Sequence, residues 1–223
     1  RYMPGVGLAQ GEGNRDTPVL RGNSSTADFF VDGIRDDVQY IRDTYNLERV
    51  EALKGPNALV FGRGGSGGVV NRVTRQADGQ SHRSASLQVG SGDRRRGTLD
   101  YGDGIGDGGA GFRINAVYED SASFRDGYSV ERYGINPTFG FEIAPGTRVE
   151  LSYEHFHDER VADRGVPSLD GRPVDTDPST FFGNPDESPV EASVDAFDAV
   201  LTHAFGEHLQ VRNHFRYADY DKF

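Results

Sequence analysis

From residue 83 onward, apolar positions recur at every second residue. The clearest run sets Tyr133, Ile135, Pro137, Phe139, Phe141 and Ile143 against Gly134, Asn136, Thr138, Gly140 and Glu142. Period two is the signature of a strand whose two faces meet different surroundings. The same alternation runs through Ala85-Leu87-Val89, Leu99-Tyr101, Phe112-Ile114-Ala116-Tyr118, Val149-Leu151-Tyr153, Phe197-Ala199-Leu201, and Leu209-Val211 resuming at Phe215-Tyr217, so seven strands are predicted. Their links are short at 104–109, 145–146 and 206–207 and long at 121–131 and 158–189, with Ser91-Gly92-Asp93 a short exception on the long side. Tight turns at one end and long loops at the other are the habit of transmembrane barrels. Aromatics gather at the strand ends, among them Tyr118, Phe124, Tyr128, Tyr133, Tyr153, Phe205 and Tyr217, where interfacial girdles sit. A soluble β-sandwich with one polar face, its long acidic loop engaging a partner or Ca²⁺, shares the alternation and stands as the alternative.

Before residue 79 the pattern is different. Apolar runs are short and irregular (Phe29 to Val31, Val50 to Leu53, Ala58 to Phe61, Val69-Val70), with turn residues between them. They predict a small mixed α/β unit in which Pro56 opens a short helix from Asn57 to Phe61. The run Gly62 to Gly68 holds five glycines in seven residues, which describes a backbone that bends tightly and lies close against a neighbour. A phosphate cradle fits poorly, because no Gly-Lys-Ser/Thr follows and no parallel βαβ unit surrounds the run.

Charge sharpens the division. Residues 1–78 carry ten acids and ten Lys or Arg, whereas residues 79–223 carry twenty-five acids and fourteen, so the net charge of −11 lies in the second part. Without a basic face the chain is not expected to bind nucleic acid. No stretch approaches the roughly 18 consecutive apolar residues of a membrane helix, which leaves a β-barrel open. Absence of cysteine removes disulfides and thiolate metal sites. No Ser-His-Asp arrangement or paired carboxylate is evident, so no enzyme is expected. His155 and His157 share one strand face; two ligands make no metal site, and a strand end at the outer rim is the expected setting.

Several motifs in order resemble the plug domain of TonB-dependent outer-membrane receptors. They are Pro4-Gly5-Val6, Thr17-Pro18-Val19-Leu20-Arg21-Gly22, Phe30-Val31-Asp32-Gly33-Ile34-Arg35-Asp36 and the stretch from Asn46 to Arg75 with its glycine run. Further on, Arg95 to Asp100, Phe124-Arg125-Asp126 and Glu131 to Pro137 are most similar to the catecholate siderophore branch of that family. The resemblance implies a mixed α/β plug at residues 1–78, followed at 79–223 by the first seven or so antiparallel strands of a transmembrane β-barrel. Such barrels close with about twenty-two strands around a plug, so the chain is expected to be a fragment, with signal peptide, TonB box and most of the wall outside it.

What the family does then becomes the expectation. A ferric siderophore, carrying iron as substrate and needing no cofactor, crosses the outer membrane of a Gram-negative bacterium by active transport. TonB, with its inner-membrane energising complex, supplies the work; the receptor sits in outer-membrane lipid as a monomer. The resemblance places ligand-facing plug tips at Gln10, Asn23, Ser24, Tyr40 and Arg42. Arg125, Phe181 and Phe182 are expected ligand contacts in the outer loops, the last two in a Pro- and Asp-rich segment from Asp158 to Pro189. Arg21, Arg49 and Lys54 are expected in a latch between plug and wall, Arg21 and Lys54 by motif. Ferric catecholates are anionic while the outer loops are acidic, so Arg94, Arg95, Arg96, Arg125 and Arg132 would have to attract them. A hydroxamate chelate, a cobalamin or a glycan are the other cargoes that this architecture allows.

Overall fold

A computed structural model describes residues 4–9, 13–24, 28–55, 61, 67–106 and 108–223. Its first part is built from short strands. β1 (Val6–Ala9), β2 (Thr17–Leu20) and β3 (Asn23–Ser24) form one antiparallel sheet. β4 (Phe29–Val31), β5 (Ile34–Arg35), β6 (Leu47–Lys54) and β7 (Gly68–Thr74) form a second, in the order β5-β4-β7-β6, with β4 and β7 parallel.

Two of the hairpins follow from dipeptides. Arg21-Gly22 has φ of 52° and 83° and Asp32-Gly33 has 48° and 86°, the paired positive angles that two-residue hairpin loops demand and glycine takes without strain. Asp32 is further held because its carboxylate accepts from Thr74 N at 3.0 Å and Thr74 Oγ1 at 2.6 Å. Phe29, Phe30 and Val31 are all buried, and Phe30 meets Phe61 edge-on with ring centroids 4.8 Å apart. The expected close approach of glycines holds where it can be seen. A methyl on Gly67 would strike the carbonyl oxygen of Leu20, and one on Gly68 that of Leu53. Of the helix predicted from Asn57 to Phe61 only Phe61, which is helical, falls among the described residues; 57–60, the glycines from 62 to 65, Gln10, Ser25 and Thr26 lie outside them.

The seven predicted strands are present: β8 (His82–Gly90), β9 (Arg94–Ile105), β10 (Ala110–Ala122), β11 (Ser129–Ala144), β12 (Thr147–Val161), and, after the two-residue strands β13 (Ser168–Leu169) and β14 (Arg172–Pro173), β15 (Pro189–Phe205) and β16 (Leu209–Lys222). All seven join one sheet in sequence order, a meander. Register places the apolar stripes on a common face: Leu99 lies opposite Ala85 and Ala116, Tyr101 opposite Ile114, Phe197 opposite Tyr217 and Ala199 opposite Phe215. That face is open, with Leu87 and Val89 at 90% and 88% exposure. Along β11 the apolar run from Tyr133 to Ile143 covers about 33 Å at 3.3 Å per residue, or about 23 Å upright at a 45° tilt, close to the apolar band of an outer-membrane barrel.

The opposite face is ionic. Arg113 clasps Asp100 with two bonds of 2.8 Å, and Arg75 reaches the same carboxylate at 3.2 Å and Asn115 Oδ1 at 2.8 Å. Arg96 meets Glu119 at 2.7 Å, Arg132 meets Asp158 at 3.0 Å, and Arg216 meets Asp198 at 2.5 Å. Side chains that polar cannot face hydrocarbon, so the two faces are chemically unlike in the way the alternation predicts.

By packing, the chain divides into two units. One comprises residues 1–74 with 122–130 and 159–190; the other comprises 75–121, 131–158 and 191–223.

Candidate functional site

The centre of the first unit is a cluster of charge built on backbone where the resemblance places a ligand-facing tip. Asp36, 2% exposed, follows the Asp32-Gly33 hairpin and receives Arg42 Nε at 3.1 Å, the Tyr40 hydroxyl at 3.2 Å and Arg72 Nη2. Arg42 also donates to the carbonyls of Asp36 at 2.9 Å and Val38 at 2.6 Å, and its guanidinium lies 4.1 Å and 4.3 Å from the ring centroids of Phe29 and Tyr40. A planar, weakly hydrated cation suits this setting, since it satisfies several acceptors while its faces contact rings.

Asp16 joins from the residue just before β2. Its carboxylate accepts from Arg42 N at 2.9 Å and its own N–H donates to Tyr40 O at 3.2 Å. Burial holds the Asp16 carboxyl above its ordinary range, against the lowering pull of the Arg42 amide and of the Arg42, Arg72 and Arg160 charges. Asp16, Arg42 and Arg72 also line a cavity of about 300 Å³ whose wall includes Val6, Pro18, Phe29, Leu47 and Val70.

Tyr40 and Arg42, expected at ligand-facing tips, are therefore buried at 5% and 8% exposure and are engaged in holding this centre. Asn23 and Ser24 are exposed on β3. The three residues expected in a latch have local partners or positions. Arg49 pairs with Glu51 at 2.8 Å and Lys54 donates to the carbonyl of Pro4. Arg21 turns the β2–β3 hairpin with its guanidinium near Gly55. Asn71 donates to Glu51 at 2.9 Å, and this bond together with Arg49 keeps the Glu51 carboxyl below its ordinary range.

The long loops belong to the same unit. Arg125 is engaged with Asp163 and with the main-chain carbonyls of Pro178 and Thr180. Phe182 is 41% exposed and Phe181 half-buried, in a segment ordered by the β13–β14 hairpin and a 3₁₀ turn at Pro185–Glu187. Of the cations expected to draw an anionic ligand, Arg94 and Arg96 both face Glu119, Arg132 faces Glu119 and Asp158, and Arg125 faces Asp163. His155 and His157 point to separate partners, Asp195 at 2.9 Å and Ser193 at 2.9 Å, and both stand near the Tyr133 ring.

Sequence reasoning missed Asp36, Arg72 and Asp16. Arg72 carried a signal: a guanidinium in the middle of Val69-Val70-Asn71-Arg72-Val73 must either leave the core or find a carboxylate.

Residues 1–69 match the TonB-dependent Receptor Plug Domain family. Among curated proteins the chain is 37% identical over 172 residues to the probable TonB-dependent receptor BfrD of Bordetella pertussis, covering 75% of this chain and 23% of BfrD. It is 32% identical over 239 residues to the catecholate siderophore receptor Fiu of Escherichia coli K12, covering 98% of this chain and 31% of Fiu. The solved open form of Fiu superposes with a TM-score of 0.88 at 28% identity, covering 99% of this chain and 35% of that one. The siderophore receptor PiuA of Acinetobacter baumannii gives 0.91 at 27% identity, covering 99% and 33%. The chain thus spans between about a quarter and a third of the length of these relatives.

Proposed function

We propose that this chain, a member of the TonB-dependent receptor family, supplies the plug (1–78) and the first strands (79–223) of an outer-membrane receptor that imports a ferric siderophore of catecholate type. The observation that carries the reading is the likeness to a catecholate siderophore receptor over 98% of the chain. The sheet supports it from physics, because one open apolar face and one ionic face are what a strand between lipid and an aqueous interior needs. Transport here requires no bond-making. Ligand binding biases the plug between arrangements through its differential affinity for them, and TonB, drawing on the inner-membrane energising complex, does the work. Iron enters as part of the substrate.

A second reading has its own observation. Residues 159–190 carry seven acids and three arginines, and Arg94, Arg96, Arg125 and Arg132 already face carboxylates. Loops of that balance suit a neutral or cationic chelate, such as a ferric hydroxamate, better than an anionic catecholate.

Cells carrying only the full-length parent receptor, grown under iron limitation, distinguish the two. Radiolabelled iron is offered as ferric catecholate or ferric hydroxamate, with and without functional TonB. TonB-dependent uptake from the catecholate is expected; uptake from the hydroxamate alone moves the assignment to the second reading. Uptake of neither, with the receptor verified in the outer membrane, removes the siderophore function.

A further inference from the structure

The two long loops of the sheet are tied at one point. Arg125, its side chain 11% exposed, sets Nε 3.2 Å from Asp163 Oδ2 and donates from Nη1 to the carbonyls of Pro178 at 2.9 Å and Thr180 at 2.8 Å. Asp126 N donates to Ser179 O at 2.8 Å beside it. Gly127, at φ 75°, lies so close to Pro185 that an added Cβ would stand 2.5 Å from the proline Cγ. One guanidinium that reaches from one loop to three acceptors spread along the other is a staple, because its planar fork fixes direction as well as distance.

Asp163 faces two ways. Its Oδ1 accepts from Gly165 N at 2.7 Å, closing a turn, while its main chain lies directly against Gly13. A Cβ at Gly13 would stand 2.7 Å from Asp163 O and 2.9 Å from Asp163 N, and its φ of 78° is left-handed. Three residues further on, Asp16 is bonded to Tyr40 O and Arg42 N. Loop staple, glycine contact and buried charge centre therefore form one connected series within a single packed unit.

We propose that Arg125 is a positioning residue. It makes the two long loops one body, and that body sets the loop from Gly13 to Asp16 through the Asp163–Gly13 contact. A ligand held by the long loops then acts on Tyr40 and Arg42 without touching them. The identity of that ligand rests on the receptor reading; the linkage itself does not.

The test uses the full-length receptor in outer membranes without siderophore, so its outcome is independent of the uptake experiment. A spin label is placed at Asp175→Cys in the long loop or at Asn14→Cys beside Gly13. Arg125→Ala is expected to abolish the immobilised spectral component at both sites. Arg125→Lys, which keeps the charge but loses the fork, is expected to retain part of it. Asp163→Asn, which leaves the Gly165 turn its acceptor, reports the ion pair by itself should Arg125→Ala fail to insert, and is expected to mobilise both labels. Mobility gained at 175 with none at 14 overturns the transmission; no change at either site overturns the staple.

Discussion

At Asp36 a single carboxylate answers two guanidinium groups and a phenol in a site almost without water. Removing one partner of such a set leaves buried charge uncompensated, which costs about 3–5 kcal/mol. Asp36→Asn is therefore expected to raise hydrogen exchange in β4 and β7 of the full-length receptor by several orders of magnitude, leaving exchange in β8 to β16 unchanged. Asp16 makes a prediction of opposite electrostatic sense. Burial raises its folded pKa above the ordinary 3.8, so the folded state holds the proton more tightly than the unfolded state does. Its ionisation thus costs stability as pH climbs from 3.8 through the raised value, and the cost is constant above that. Protection of β1 and β2 amides should fall across this window in the native protein and stay flat in Asp16→Asn. Glu51 runs the other way, its lowered pKa adding stability that is lost on acidification below the ordinary 4.5.

Among the elements, β11 states the rule of the sheet most plainly. Phe139 is 48% exposed on the apolar face while its neighbour Thr138 is 3% exposed on the other. Phe139→Arg puts a cation near the middle of the apolar band and is expected to cost about 2–4 kcal/mol, read as a lower urea midpoint for the receptor refolded into lipid. Glu142→Gln on the ionic face should leave the midpoint where it is. Gly140 on that same face has a different constraint: a methyl there would stand 2.6 Å from Ala77 O and press on the Arg148 guanidinium. Gly140→Ala is accordingly expected to speed exchange of the amides at 76–78. These strands were legible because period two is a local property, and one residue's shift in register would have turned Leu99 or Phe197 away from the lipid. The first part was less so. Phe29-Phe30-Val31 announces burial but not that β4 pairs in parallel with β7 some forty residues later. Polar loops do not announce depth either. Tyr40 and Arg42 read as exposed tips, yet the acceptors that bury them, Asp36 and the carbonyls of 36–40, become a site only when the chain is folded.

At the scale of the whole molecule, the net charge of −11 coexists with an ionic sheet face whose carboxylates are largely answered by arginine. The chain directly after β7 is part of that arrangement. Arg75 enters the Asp100–Arg113 pair, Arg113 reaches Gln76 O at 3.4 Å, and Arg148 donates to Ala77 O and, at 3.2 Å, to Gly109 O. Three guanidinium groups thus fix three consecutive residues, 75–77, to strands β9, β10 and β12. Backbone carbonyls held by cations from separate strands make a firm anchor, because releasing one leaves the others in place. Arg113→Ala should then loosen residues 75–77 only modestly and Arg148→Ala likewise. The double variant is expected to free them by more than the sum, since Arg75 alone cannot hold the main chain at 76–77. A double-mutant cycle on exchange at Gln76 and Ala77 decides the matter, with a coupling energy of about 0.5–3 kcal/mol expected for groups sharing one network. Strict additivity would show instead that the two arginines act on the segment independently.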